Sequence, residues 1–157
     1  MKVSNTGPLI VLHETSLLWL LKELYTEIII PKAVQLELLK KSDGQKIVNM
    51  NWIKVVEVQK SDILKMLTNL LDEGEAETIT LANEIKMPIL LDEKKGRKLA
   101  RSLDLKIQGS LGILLKAKKS GLINSVKECI FKFITSGYYL DQELINEILK
   151  RAGEIEL

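Results

Sequence analysis

The sequence predicts an α/β fold: a three-layer α/β/α domain with a short parallel sheet and helices at its C-terminal end. Three observations predict it. Short runs of Ile, Val and Leu alternate with amphipathic stretches along the chain, as strands and helices do in a parallel sheet covered on both sides. Those runs show little polar alternation, as expected of strands buried on both faces. The length of 157 residues, with 46% apolar and 28% charged residues, suits one soluble domain with a real core. Aromatic residues make up only 4%, so Leu, Ile and Val must build that core.

Taken in order, "MKVSN" reads as the first strand. "TSLLWLLKEL" is apolar almost all round, which predicts a heavily buried helix. "EIIIP" (Glu27 to Pro31) is the second strand, and its proline opens "PKAVQLELLK", where proline suits a first helical turn. "WIKVVEV" (Trp52 to Val58) is the third extended stretch. In "SDILKMLTNLLDEGEAETITLANEI", Ile63, Leu64, Leu67, Leu70 and Leu71 fall at helical spacing, and Gly74 is expected to divide the segment into two helices. "MPILLD" (Met87 to Asp92) is the fourth strand, "KKGRKLARSL" a helix and "LKIQG" (Leu105 to Gly109) the fifth strand. "SLGILLKAKKSG" is a helix ended by Gly121. Two apolar stripes follow: Val126, Cys129, Ile130, Phe133 and Ile134, then Leu144, Ile145, Ile148, Leu149 and Ala152. One domain over 1–157 is expected, with a core of about 1–123 and a helical extension of about 124–157.

Several functions are excluded. Cys129 is the only cysteine, which leaves no internal disulfide and no cysteine-rich zinc site. Its apolar neighbours predict a buried thiol. His13 is the only histidine, so no Cys–His pair has support; it is expected at the end of a helical turn. "GSLG" (Gly109 to Gly112) lacks dinucleotide spacing and the P-loop lysine, and reads as a tight strand-to-helix turn. The apolar run Leu17 to Leu21 falls far short of the roughly 20 residues that span a bilayer. No signal-peptide pattern is present. The expected setting is therefore a reducing cytoplasm, with no membrane association.

Net charge is +2, too small to imply strong general affinity for nucleic acid, but the charge is unevenly placed. From Lys86 to Lys119 there are ten basic and three acidic residues. Just before them, "DEGEAE" (Asp72 to Glu77) holds four acids and no base.

Ligands in an open parallel sheet bind at the carboxyl ends of its strands. Asn5 ends the first strand, while Asp92 and Glu93 end the fourth. Glu37 lies two turns into the helix after the second strand, and Glu75 and Glu77 near the start of the helix leading into the fourth. Carboxylates that share a site repel one another, and a cation is the usual reason for gathering them. Oxygen ligands suit Mg²⁺ or Mn²⁺, which activate water and stabilise charge on a phosphate. Simpler roles exist for each residue. Glu75 and Glu77 can complement a helix N-terminus, Asp92 can cap the following helix, Asp72 and Glu73 can be solvated or capping residues, and Glu37 can lie along the surface.

Five segments in order, "VSNTGPLI", "IPKAVQLEL", "LDEGEAETITLA", "ILLDEKKGRKLA" and "IQGSLGILLKAKKSGLI", resemble the PIN-domain family, most of all the small prokaryotic branch found among toxin–antitoxin ribonucleases. The resemblance covers about Met1 to Ile123. It implies a compact α/β/α nuclease fold and Mg²⁺- or Mn²⁺-dependent cleavage of RNA. The family's first metal-site position falls on Asn5 and the second on Glu37. The third falls on Glu75, with Glu77 as the alternative, and the fourth on Asp92, with Glu93 close by. Thr6 matches a hydroxyl that arranges the site, whereas Gly7 stands where a serine or threonine is common. Lys94, Lys95, Arg97, Lys98 and Arg101 would hold the RNA backbone beside the acids. A cognate antitoxin and a second copy of the chain are the partners the resemblance implies. Asn5 departs from the family's aspartate: its carbonyl can coordinate a cation but brings no charge and cannot act as a base. A metal-dependent endoribonuclease and a catalytically weakened RNA- or protein-binding module both follow.

Overall fold

A computed structural model describes residues 1–154. Five parallel strands form one sheet: β1 (Lys2–Ser4), β2 (Ile28–Pro31), β3 (Ile53–Val56), β4 (Ile89–Leu90) and β5 (Ile107–Gln108), in the order β3-β2-β1-β4-β5. Val3 pairs with Ile29 on one side and Ile89 on the other, so β1 is central. Among the described residues the helices are α1 (Thr6–Glu14), α2 (Trp19–Tyr25), α3 (Lys32–Leu39), α4 (Gly44–Val48), α5 (Asp62–Thr68), α6 (Glu73–Ile85), α7 (Lys94–Ser102), α8 (Ser110–Lys119), α9 (Val126–Thr135) and α10 (Gln142–Arg151).

Side chains alternate across each strand, and this divides the core in two. Ile28, Ile30 and Leu90 join Leu12, Leu114 and Phe133 on one face. Val3, Ile29, Ile89 and Leu91 join Leu67, Ile79 and Ala100 on the other. The result is the three-layer α/β/α fold that the alternating pattern predicted. Ile130, Phe133 and Leu149 are fully buried, so α9 and α10 cover the first of these cores, with Cys129 buried among them. Ile134 and Leu144, also placed on the apolar stripes, are instead exposed. Of the expected 124–157 extension, residues 155–157 lie outside the described residues.

Three local features depart from the sequence reading. The helix expected over "TSLLWLLKEL" forms late, as α2 from Trp19, and is preceded by a helix the sequence did not announce: α1 begins at Thr6, one residue after β1, and a turn at 15–18 separates the two. Pro8 sits in the first turn of α1, where its missing N–H removes no helical bond. The Thr15 hydroxyl donates to the Val11 carbonyl at 2.7 Å and closes that helix. Second, the break before α6 falls at 69–72, and Gly74 lies inside the first turn. Asp72 sets the start, because its side chain accepts from the Glu75 N–H at 2.8 Å. Third, α4 is one short turn, too brief to show a period in sequence. It needs glycine: a Cβ on Gly44 would stand 1.7 Å from the Leu38 carbonyl oxygen.

The strand order places a topological switch beside β1. The chain runs from β1 to β2 and β3 on one side, then crosses to β4 and β5 on the other. The crevice at the carboxyl ends of β1 and β4 is therefore where a ligand is expected.

Candidate functional site

Asn5 occupies that switch point. Its N–H pairs with the Leu90 carbonyl at 3.0 Å, which locks the end of β1 to β4. Asn5 is also the residue that precedes α1, a position where asparagine commonly caps the helix. Its side chain makes no capping bond. The side-chain carbonyl is buried without a partner, as is the adjoining Thr6 hydroxyl.

The first turn of α6 lies opposite. Gly74 brings its backbone close to both Asn5 and α3, because a Cβ there would meet Glu37 Oε2 at 2.7 Å and Asn5 Oδ1 at 3.5 Å. Asp72 Oδ1 lies 3.6 Å from the same point. Glu75, one residue on, is buried with Oε2 unpartnered. Gly96 on α7 allows a second approach: its missing Cβ would stand 3.1 Å from Glu93 Oε2 and 3.5 Å from Glu75 Oε2. Asn5, Glu37 and Asp72 thus gather around Gly74, and Glu75 and Glu93 around Gly96, along the carboxyl edge formed by the end of β1, α3, α6 and the start of α7.

Burial, then the neighbouring Asp72 and Glu93 carboxyls, pushes the Glu75 carboxyl up to about 8. Burial acts in the same sense on Glu93. It is outweighed by the N–H of Gly96 at 2.5 Å, the neighbouring Glu75 carboxyl and the N–H of Lys95 at 3.0 Å, which together hold Glu93 below its ordinary value. One proton shared between close carboxyls relieves repulsion that two full charges would feel.

The other candidates are placed differently. Asp92 turns to the opposite wall, where its carboxylate accepts from the Ser110 N–H at 2.6 Å and the Ser110 hydroxyl at 2.5 Å. It thereby serves as the anion at the N-terminus of α8. Arg97 braces the same corner by donating to the Leu91 carbonyl at 2.9 Å. Glu77 points to α3 and accepts from the Ala33 N–H at 3.1 Å, so it supports that helix's first turn. Gly7 is exposed, with open space where a side chain would stand. Asp72 is the member of the cluster that the sequence reading left as a cap. It caps α6 and also adjoins Glu75; its spacing of three residues from Glu75 was the available signal.

A groove of about 1150 Å³ opens beside this centre, between α7, α8 and the C-terminal helices. Lys94, Arg97 and Arg101 line it from one face of α7, while Lys95 and Lys98 lie exposed elsewhere on the helix.

Among the described residues, no three His, Cys, Asp or Glu side chains converge into a ready-made metal cage. Mg²⁺ does not require one, since it commonly keeps several waters and takes one or two carboxylates. The orphaned oxygens of Asn5 and Glu75, with Glu37 beside Asn5, are hard donors of the kind that suits such an ion.

Among the described residues, no helix is long and apolar enough to cross a membrane. No curated protein and no solved structure matches the chain. A protein-family model described as a PIN domain matches residues 1–154. PIN domains have a nuclease-like fold and are generally dependent on divalent metal. With the parallel sheet, the switch-point acids and a match over nearly its whole length, the chain belongs to the PIN-domain family.

Proposed function

We propose that the protein is a metal-dependent endoribonuclease that hydrolyses RNA phosphodiesters at the acidic end of its sheet. One observation supports this most. Of four buried side-chain atoms without a partner among the described residues, three (Asn5 Oδ1, Thr6 Oγ1 and Glu75 Oε2) lie at the switch point. Buried polar groups are rarely left unpaired, and a cation with its waters would satisfy them.

Glu37, Glu75 and Asn5 would hold Mg²⁺ or Mn²⁺, with Glu93 beside Glu75. The ion supplies positive charge for the scissile phosphate and activation of water. In the hydrolysis, a water oxygen bonds to phosphorus as the bond to the leaving ribose oxygen breaks. Glu37, half-buried next to Asn5, would take the water's proton. Thr6 Oγ1 can donate to a phosphate oxygen. Asp92 anchors Ser110 and so fixes the wall between the acidic centre and the groove. Lys94 and Arg101 would hold flanking phosphates.

Cleavage of unstructured RNA with Mn²⁺ tests this reading. Glu75→Gln and Glu37→Gln are expected to lower the rate by at least about a hundredfold, the scale of losing a catalytic group. Rates that both variants retain would remove these residues from the chemistry.

A second reading, a catalytically weakened RNA- or protein-binding module, is favoured by two features. Asn5 brings no charge, and Glu75 carries a proton near neutrality, so the apo centre attracts a cation less than four free carboxylates would. That module would retain RNA without turnover. The partners proposed are RNA, a cognate antitoxin protein if the chain is a toxin, and a second copy of the chain. Exposed Phe131, Ile134 and Leu144 on α9 and α10 support the homodimer. Native mass in solution checks it: a dimer is expected, and a monomer at micromolar concentration contradicts it.

A further inference from the structure

No aromatic stacking platform is evident in the sequence, yet the groove beside the acidic centre carries an exposed aromatic residue. Tyr139 lines it and is 92% exposed. Its loop is nevertheless pinned. Gly137, at φ 95°, ends α9 in a left-handed turn, with its N–H on the Ile134 carbonyl and the Tyr138 N–H on the Phe133 carbonyl. The Tyr138 hydroxyl donates to Glu14 Oε2 at 2.5 Å, tying the loop to α1. Beyond it, Asp141 caps α10 through the Glu143 N–H. A full aromatic face is therefore held out to solvent between two fixed points.

The charge in the groove is also unbalanced. Its acids are engaged: Asp92 with Ser110, Asp141 as a cap and Glu147 with Arg151. Among the described residues, Lys94, Arg101 and Lys119 have no acid within ion-pair distance. Free cations along a channel, with one presented ring, match a chain that alternates phosphates with flat bases. An acidic peptide would use the cations but leave the ring without a role.

We propose that this groove guides a single RNA strand away from the acidic centre, with Tyr139 stacking on an unpaired base beyond the cut. The assignment rests on the ribonuclease reading and is tested apart from it. Fluorescence anisotropy in EDTA follows binding of a labelled oligouridine of roughly ten nucleotides to the full chain. Tyr139→Ala weakens binding about tenfold, the scale of one lost stack, and Tyr139→Phe restores it. Arg101→Ala weakens binding and lowers the salt slope by about one. The proposal is overturned if Tyr139→Ala binds as the wild type does, if a duplex binds as tightly as the single strand, or if the oligouridine does not bind. It is also overturned if a polyaspartate peptide binds more tightly and only Arg101→Ala weakens it. Binding with these sensitivities but no cleavage of any RNA leaves the groove assignment standing and removes the nuclease reading. Cleavage with unchanged binding by Tyr139→Ala does the reverse.

Discussion

At the scale of single residues, Asn5 sets how much charge the centre offers. Its side chain is buried and aimed away from the helix it precedes, with the carbonyl oxygen near Gly74 and Glu37. Asn5→Asp adds a carboxylate beside Glu37 and Glu75. Without metal it repels its neighbours, so the variant's melting temperature falls. With Mn²⁺ the added charge strengthens binding by roughly tenfold or more, the scale of one partly screened unit charge a few ångströms away. Calorimetric titration of Mn²⁺ into both proteins checks this, and equal affinities would show that Asn5 lies outside the centre. The sequence placed Asn5, Glu37 and Glu75 where the structure gathers them, because each follows from its position relative to a strand end. It set Glu75 ahead of Glu77 and Asp92 ahead of Glu93, whereas Glu93 is the one that lies beside Glu75 and Asp92 faces Ser110. Such neighbours differ in the direction they face, and that direction is set by contacts with Ser110, Gly96 and Ala33 that come from distant segments.

At the scale of elements, the C-terminal helices are closed by a residue no motif announced. Glu154 accepts from the N–H groups of Val126 and Lys127 at 2.8 and 3.0 Å, and Lys118 bonds it at 2.8 Å. Gly153 delivers it by ending α10 at φ 72°. Burial alone would raise the Glu154 carboxyl; the Lys118 ammonium and the two amides outweigh it and bring the carboxyl down from 4.5 to about 2. A depressed folded value stabilises the protein above 4.5, and that contribution is lost as pH falls from about 4.5 towards 2. Glu154→Gln should therefore cost about 1–2 kcal/mol at neutral pH, a fall of a few degrees in melting temperature. Thermal unfolding against pH should show the gap between variant and wild type narrowing as pH falls from about 4.5 and closing only towards 2, where the folded wild-type carboxylate is itself protonated. A gap that stays constant through the acid range would rule out the charged contact. Long periodic segments such as α8, α9 and α10 were legible because many side chains vote for one phase. The starts of α1 and α6 were not, since α1 opens one residue after β1 with no side-chain cap and α6 depends on the Asp72 cap.

At the scale of the whole molecule, the strand order converts separate sequence features into one site. Placing β1 between β2 and β4 brings the end of β1 against the end of β4 and the first turn of α6. Acids some seventy residues from Asn5 thereby become its neighbours, and the basic face of α7 is set on the groove beside them. The alternating pattern was enough to predict the parallel sheet, and the family resemblance gave the site's corners. The groove's aromatic edge was hidden, because two adjacent tyrosines in a short loop carry no period and gain a role only when α10 folds back on α8. The claim on which the account rests is that the orphaned oxygens at the switch point receive a divalent cation. Mn²⁺ binding followed by electron paramagnetic resonance tests it most directly. Bound Mn²⁺ is expected in the wild type and lost in Glu75→Gln and Glu37→Gln, with both variants still folded. Mn²⁺ retained by both variants, or no binding by the wild type at millimolar metal, would contradict it.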